Sequence, residues 1–279
     1  ISMPSFNLGV GSGPHGAQTG QMLEKIERVL TNERPDGVIV YGDTNSTLAG
    51  ALAAAKLTIP IFHIESGLRS FNRQMPEEVN RILTDSLSTL LFCPTHAAAE
   101  NLRNEGVNEE RIMHCGDVML DSVLRHAEVS KEVIPHAGLA HPNSILVTIH
   151  RAENTDDTGR LFSIVKALVE VGNSRPVIFS LHPRTRVALI DQRLYEPLKS
   201  AVTCIEPLSY REMIAAELHA SLIVTDSGGV QKEGFYLGKP TIVVRSETEW
   251  VELLQHGYTR LANPQELKDA ILDPPKPPK

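Results

Sequence analysis

Residues 222–240 read LIVTDSGGVQKEGFYLGKP, and this stretch holds the fold in miniature. Leu222, Ile223 and Val224 make an apolar run of the length of a buried parallel strand. Thr225 and Asp226 end it, and Ser227-Gly228-Gly229 turns into a helix beginning near Val230. Two successive residues without a Cβ let the backbone approach a ligand, and the free N–H groups of a helix's first turn favour an anion, so phosphate is the natural guest. Glu233 follows within one and a half turns, where it could reach ribose hydroxyls while Ser227 and the turn hold phosphate. On the glycines alone an ordinary strand-to-helix turn reads equally well, and the rest of the chain has to decide.

Outward from this stretch the same unit recurs. Ser144–Ile149 is an apolar strand ending in His150-Arg151, and Val177–Leu181 is another, ending in His182-Pro183. Between them, Leu161, Ile164, Val165 and Leu168 share one face of a helix over 160–171. A short strand at 202–205 and a helix near 210–218 follow, and Thr241–Val244, ending at Arg245, reads as the last clear strand. In the first half, Thr19 is a plausible N-cap for a helix carrying Met22, Ile26, Val29 and Leu30. Val38–Tyr41 then turns through Gly42-Asp43 into an alanine-rich helix over 47–56, and Ile59–Ile64 runs into Glu65. Pro76 opens a helix with Glu77 and Glu78 in its first turn, where the dipole favours acids. Leu90–Pro94, a helix capped by Thr95, a strand at 111–117 and a helix over 118–127 complete this half.

Strands alternating with helices imply parallel sheets, and ligands of such sheets collect beyond the carboxyl ends of the strands. The expected architecture is α/β: two Rossmann-like, doubly wound domains with the active site in the cleft between them. The N-terminal domain is placed at 1–130, the linker at 131–143 on its prolines and Gly138, the C-terminal domain at 144–263 and a tail at 264–279.

At 279 residues the chain exceeds one typical domain. A net charge of -7 without a basic block argues against nucleic acid or an anionic membrane as partner. No apolar run approaches the roughly 20 residues of a transmembrane helix, and the opening lacks the pattern of a secretory signal. Cys93, Cys115 and Cys204 are far apart and form no CxxC pair, which fits a reduced, cytoplasmic protein. The extended, glycine-rich opening and the proline-rich close suggest a fragment.

Asp43, Glu65, His150, His182, Ser227 and Arg245 each follow the carboxyl end of an apolar strand. Any one of them could be a helix cap or a structural hydrogen-bonding group; six at the same edge are what a cleft enzyme requires. No zinc-ligand spacing and no GxSxG elbow occurs, so neither a metal nor a nucleophilic serine is expected. Asp43, Glu65 and Glu77 with His150 suit proton transfer, because burial and mutual repulsion tune such groups toward neutrality. The Ser227 turn and Arg245 suit a nucleotide diphosphate. Together they point to an enzyme acting on a nucleotide sugar, and the residues alone do not separate transfer from isomerisation.

The ordered segments VYGDTNSTLAGALAAAKL, HIESGLRSFNRQMPEEVNRILTD, TIHRAENTDD, LHPRTR, TDSGGVQKEGFYLGKP and ETEWVEL resemble the non-hydrolysing UDP-N-acetylglucosamine 2-epimerases over nearly the whole chain, from about His15 to Ala262. The resemblance implies the two-Rossmann-domain fold shared with many glycosyltransferases, no cofactor, a homodimer, and interconversion of UDP-N-acetylglucosamine and UDP-N-acetylmannosamine for cell-surface polysaccharide. It implies elimination of UDP across C1 and C2 to a glycal, then re-addition with the proton delivered to the other face. By motif match Asp43, Glu65 and Glu77 are the acid–base carboxylates, and His150 serves acid–base work or the departing phosphate. Ser227, Gly228 and Gly229 would hold the diphosphate, Glu233 the ribose, with His182 and Arg245 placed by their positions at strand ends. ETEWVEL, HRAENTDD and FNRQMPEE look nearer to the 2-epimerases of UDP-2,3-diacetamido-2,3-dideoxyglucuronate, whose extra carboxylate Arg73 or Arg151 could meet. A glycosyltransferase and a nucleotide-sugar sensor are the rivals; the clustered acids disfavour the sensor. The family's opening strand and glycine-arginine loop have no match here, and neither do its closing helices, so these residues alone are expected to be poorly stable or inactive.

Overall fold

The computed structural model describes residues 3–133 and 136–276, which divide between Val118 and Met119 into two compact units. In the first unit, helix α1 (His15–Glu33) precedes strand β1 (Val38–Tyr41), and then come α2 (Asn45–Lys56), β2 (Ile61–Ile64), α3 (Pro76–Leu87), β3 (Leu90–Cys93), α4 (His96–Asn104) and β4 (Ile112–His114). The strands pair in parallel in the order β1-β2-β3-β4. Side chains alternate across each strand. Val40, Ile61, His63, Leu91 and Cys93 point inward and are buried, and Val40 and Ile61 form a core with Leu30 of α1 and the alanines of α2. On the opposite face Ile39 aligns with Phe62 and Leu90, and Tyr41 with Ile64, Phe92 and Met113. There Ile39, Tyr41 and Met113 stay exposed.

Helix α1 starts at His15, four residues before the cap expected at Thr19, with Pro14 in front of it. Tertiary bonds fix that start: Asn45 Nδ2 donates to Gln18 Oε1 at 2.7 Å and lies 3.0 Å from His15 Nδ1. At the other helices of the unit local chemistry suffices. Thr44 and Thr95 accept from the N–H groups of Thr47 and Ala98, and Pro76 occupies the first position of α3.

Helix α5 (Val118–Ser130) starts on the last residue of the first unit and lies otherwise in the second, where it packs Val123 and Ala127 on Ile214. Its apolar face therefore belongs to the second unit, and the division falls ahead of the 131–143 stretch expected as linker; Ile134 and Pro135 lie outside the described residues. The chain continues through β5 (Ile145–Thr148), α6 (Ala152–Thr155), α7 (Thr158–Gly172), β6 (Val177–Ser180), α8 (Pro183–Asp191), α9 (Tyr195–Lys199), β7 (Thr203–Ile205) and α10 (Tyr210–His219). After these come β8 (Leu222–Thr225), α11 (Gly228–Tyr236), β9 (Thr241–Val243), α12 (Val251–Gln255), β10 (Thr259–Leu261) and α13 (Leu267–Leu272). All six strands are parallel, in the order β10-β9-β8-β5-β6-β7. The order reverses between β5 and β8, the point where doubly wound sheets open a ligand crevice. Residues 264–272, expected in a tail, carry α13, whose Leu267, Ala270 and Ile271 are fully buried in the core with α7. Strand β10 extends the sheet past the strand expected to be last.

Candidate active site

In the second unit the residues after β5 and β8 meet at the reversal of strand order. Thr148 and Thr225 join their hydroxyls at 2.7 Å across the two strands. Beyond them Asp226, fully buried, accepts from the backbone N–H groups of His150 (3.0 Å) and Arg151 (2.9 Å) and from the Asn154 amide (3.0 Å). One carboxylate thus sets the turn that presents His150 and Arg151. His150 Nδ1 lies 3.5 Å from Asp226 Oδ1, and its ring tilts against that of His182, 5.5 Å between centroids. Burial holds the His150 imidazole below its usual range, with Asp226 pulling the other way and His182, Arg151 and Arg184 adding to the drop. A neutral ring can accept or donate a proton. His182 itself is exposed and caps α8, accepting from Arg184 N at 3.2 Å.

Ser227 caps α11, accepting from Val230 N at 3.4 Å, and Gly228 and Gly229 form the helix's first turn. The segment 245–250 lies against this turn. A Cβ added at Gly228 would sit 3.1 Å from Glu249 Oε1 and about 4.0 Å from Arg151 Nη2 and Trp250 Nε1. A side chain at Gly228 would oblige the Glu249 carboxylate to give way by a few tenths of an ångström. Gln231 and Thr248 exchange hydrogen bonds at 2.9 and 3.1 Å, and the Lys232 ammonium stands 3.9 Å over the Trp250 ring. Arg245 and Glu249 pair at 3.0 Å, both buried. The arginine expected at the diphosphate is thus turned inward, engaged with its own segment. Glu233, the expected ribose residue, is 5% exposed.

In the first unit Asp43 and Glu65 follow the neighbouring strands β1 and β2. Arg81 of α3 donates to Asp43 Oδ2 from Nε (2.9 Å) and Nη2 (2.7 Å), and from Nη1 to Glu78 at 2.8 Å. Asn80 donates to the Asp43 carbonyl oxygen at 2.8 Å. Glu65 adopts a left-handed backbone, φ 72°, a conformation that costs a non-glycine residue and concentrates at functional sites. Glu65, after burial itself, helps push the Tyr41 phenol up to about 12. Of the adjacent pair in α3, Glu78 is buried and accepts from Ser70 N, Phe71 N and Arg81, so it clamps the preceding loop. Glu77 is half-buried at the second position of the helix.

The chain matches the family model of UDP-N-acetylglucosamine 2-epimerase over residues 1–273. The chain belongs to this family. It is 54% identical over 261 residues to the UDP-2,3-diacetamido-2,3-dideoxy-D-glucuronate 2-epimerase of Pseudomonas aeruginosa, covering 92% of this chain and 72% of that one. With the UDP-N-acetylglucosamine 2-epimerase of Methanocaldococcus jannaschii the identity is 43%, over 96% of this chain and 76% of the relative. The crystal structure of that archaeal epimerase in complex with UDP-GlcNAc and UDP superposes with a TM-score of 0.89, covering 98% of this chain and 78% of it. The α/β fold with parallel sheets is that of the epimerase family. Arg81, Asn154, Asp226, Lys232 and Trp250 join the candidate site unannounced by the strand-end pattern, although all lie in the segments that carry the resemblance. Among the described residues no cluster of three or more metal-ligating side chains occurs, and no helix is long and apolar enough to cross a membrane.

Proposed function

We propose that this protein is a UDP-hexosamine 2-epimerase that inverts C2 by eliminating and re-adding UDP. The observation that carries this reading is the joint presence of a glycine turn at the strand reversal of one unit and strand-end carboxylates in the other. The C2 hydrogen is too weakly acidic to be removed without a leaving group. A carboxylate takes that proton as the C1–O bond breaks, the electron pair leaves with the β-phosphate, and a 2-acetamidoglycal remains. UDP then attacks C1 again while an acid delivers a proton to the opposite face of C2. Atoms and electrons balance without a co-reactant. Asp43, Glu65 and Glu77 are the proton carriers in this reading, and His150 serves as a further acid–base group or steadies the departing phosphate. Ser227, Gly228 and Gly229 cradle the diphosphate, Glu233 binds the ribose, and His182 and Arg151 flank the phosphates, which Arg245 joins only on leaving Glu249.

UDP-N-acetylglucosamine is the first substrate to test, since the family model and the relatives solved with bound sugar carry that name. The 54% identity to the diacetamido-glucuronate enzyme favours a second reading, in which the sugar bears a C6 carboxylate and Arg73 or Arg151 meets it. Proton NMR in deuterated water decides between them. Deuterium entering C2 of UDP-N-acetylglucosamine, with a mannosamine-type anomer appearing, supports the first; exchange confined to the uronate supports the second. An acceptor-dependent release of free UDP without exchange points to a glycosyltransferase and overturns both. The same reading makes the enzyme a cytoplasmic homodimer, which light scattering after size exclusion checks for the oligomer.

A further inference from the structure

Glu217 stands on α10 among Ile214, Ala215 and Ala216, all fully buried, and is itself 0% exposed. Neither of its carboxyl oxygens meets a donor among the described residues, and the polar group beside it is another carboxyl, that of Glu233 on α11. Two ionised carboxylates cannot share a buried site; one proton between them turns repulsion into a short, charge-assisted hydrogen bond. Burial first, and Glu233 second, push the Glu217 carboxyl well up, and burial raises Glu233 as well. An apolar side chain would fill this position at less cost, so packing does not account for the acid. Among the described residues none of the other charged or titratable groups nearby donates to Glu217. Tyr210 reaches both Glu233 and Ser122, and its ring packs edge-on against His126 of α5. Lys232, over the Trp250 ring, pulls the Glu233 carboxyl down against the effect of burial, and Lys239 donates to the carbonyl oxygens of Leu218 and Ala220.

We infer that Glu217 is a positioning residue for nucleotide binding: it shares one proton with Glu233, and this acid pair aims the remaining Glu233 oxygen at the ribose hydroxyls of UDP. The inference rests on the assignment of Glu233 to the ribose and deepens it. With the proton in place, Glu217 and Tyr210 both donate to Glu233, which keeps acceptor capacity for a hydroxyl. Once the proton leaves, like charges drive the two carboxylates apart and the acceptor is misplaced. UDP affinity then falls on the alkaline side, by up to about tenfold per pH unit for one linked proton.

The test combines infrared spectroscopy of the full chain without ligand and calorimetric titration with UDP from neutral to alkaline pH. The wild type is expected to show a protonated-carboxyl C=O band at neutral pH that Glu217→Gln removes. Glu217→Gln, which keeps a neutral donor, should retain its affinity where the wild type loses it, and Glu217→Met should bind UDP about fivefold more weakly at neutral pH for the lost hydrogen bond. Absence of the band, or an alkaline loss unchanged in Glu217→Gln, overturns the shared proton. Glu233→Ala separates the two layers. If it weakens UDP binding while Glu217→Gln behaves as wild type, the ribose assignment stands and the pair fails. If it binds UDP as the wild type does, the ribose assignment itself falls and takes the positioning role with it, whatever the band shows.

Discussion

Gly42 approaches Glu65 so closely that a Cβ built on it would lie 3.3 Å from Glu65 Oε2. Gly42 is left-handed, φ 67°, at the end of β1, and Glu65 is left-handed at the end of β2, so two adjacent strands finish in conformations that bring backbone and carboxylate together. Gly42→Ala therefore strains the turn by about 1 kcal/mol and displaces the carboxylate as well. A proton carrier displaced by a fraction of an ångström loses its geometry. We expect C2 exchange to fall by about 10- to 100-fold while stability falls by only about 1 kcal/mol. Exchange at the wild-type rate would remove Glu65 from the proton-transfer set.

Beneath that turn Asp85 is the hub of a buried network. Its carboxylate lies 2.6 Å from His63 Nδ1 and 2.8 Å from Arg69 and accepts from Gly67 N at 3.2 Å, while His63 Nε2 stands 2.8 Å from the Gly42 carbonyl oxygen. The loops bearing Asp43 and Glu65 hang from this one acid. Asp85→Asn leaves the Arg69 charge buried without its inner partner, and removing one member of such a pair costs about 3 kcal/mol. Urea denaturation of the full chain measures this; a loss under about 1 kcal/mol would mean that Glu105, which also binds Arg69 at 2.7 Å, suffices.

No local pattern in the sequence announces this network, whose members His63, Gly67 and Asp85 lie up to 22 residues apart. Strands such as Leu90–Cys93 and Leu222–Thr225 were legible because a short apolar run bounded by polar residues has few other readings. Strand β10 was not, because Thr259-Arg260-Leu261 is a three-residue edge strand with an exposed arginine in the middle. The start of α1 depends on bonds from Asn45, 30 residues away from His15, which no local cap announces. Glu77 and Glu78 are neighbours in sequence, and only packing separates the buried clamp from the half-exposed acid. Glu217 reads as an ordinary polar residue of a helix until Glu233 is brought against it.

Lys232 and Trp250 couple the first turns of α11 to the segment that covers Gly228. Both side chains are buried, and a desolvated ammonium over an indole contributes about 1 to 2 kcal/mol. Lys232→Met, Trp250→Leu and the double variant form a cycle whose coupling should be about 1 kcal/mol or more in urea denaturation. Additive single effects would show that the contact is geometric proximity only. Because Glu249 lies against Gly228, loosening the segment should also weaken UDP binding in both single variants.

The pH dependence of His150 separates its two candidate roles. Its imidazole is held below the ordinary value of about 6.5 chiefly by burial, so the folded protein binds this proton less readily than the unfolded chain does. The sign follows from linkage. Stability from this site is full above the ordinary imidazole range and is lost as pH falls through that range to the lowered value. His150→Gln should remove that acid-side loss, which thermal denaturation at a series of pH values reads directly. For activity the roles predict opposite trends. If the neutral ring takes a proton, C2 exchange shows an acid limb with its midpoint below about 6.5, and His150→Gln abolishes most of the exchange. If the ring acts as a cation beside the departing phosphate, exchange rises as the pH falls toward the same midpoint. A rate flat across this window in the wild type would exclude both roles and leave His150 as a neighbour that Asp226 merely holds in place.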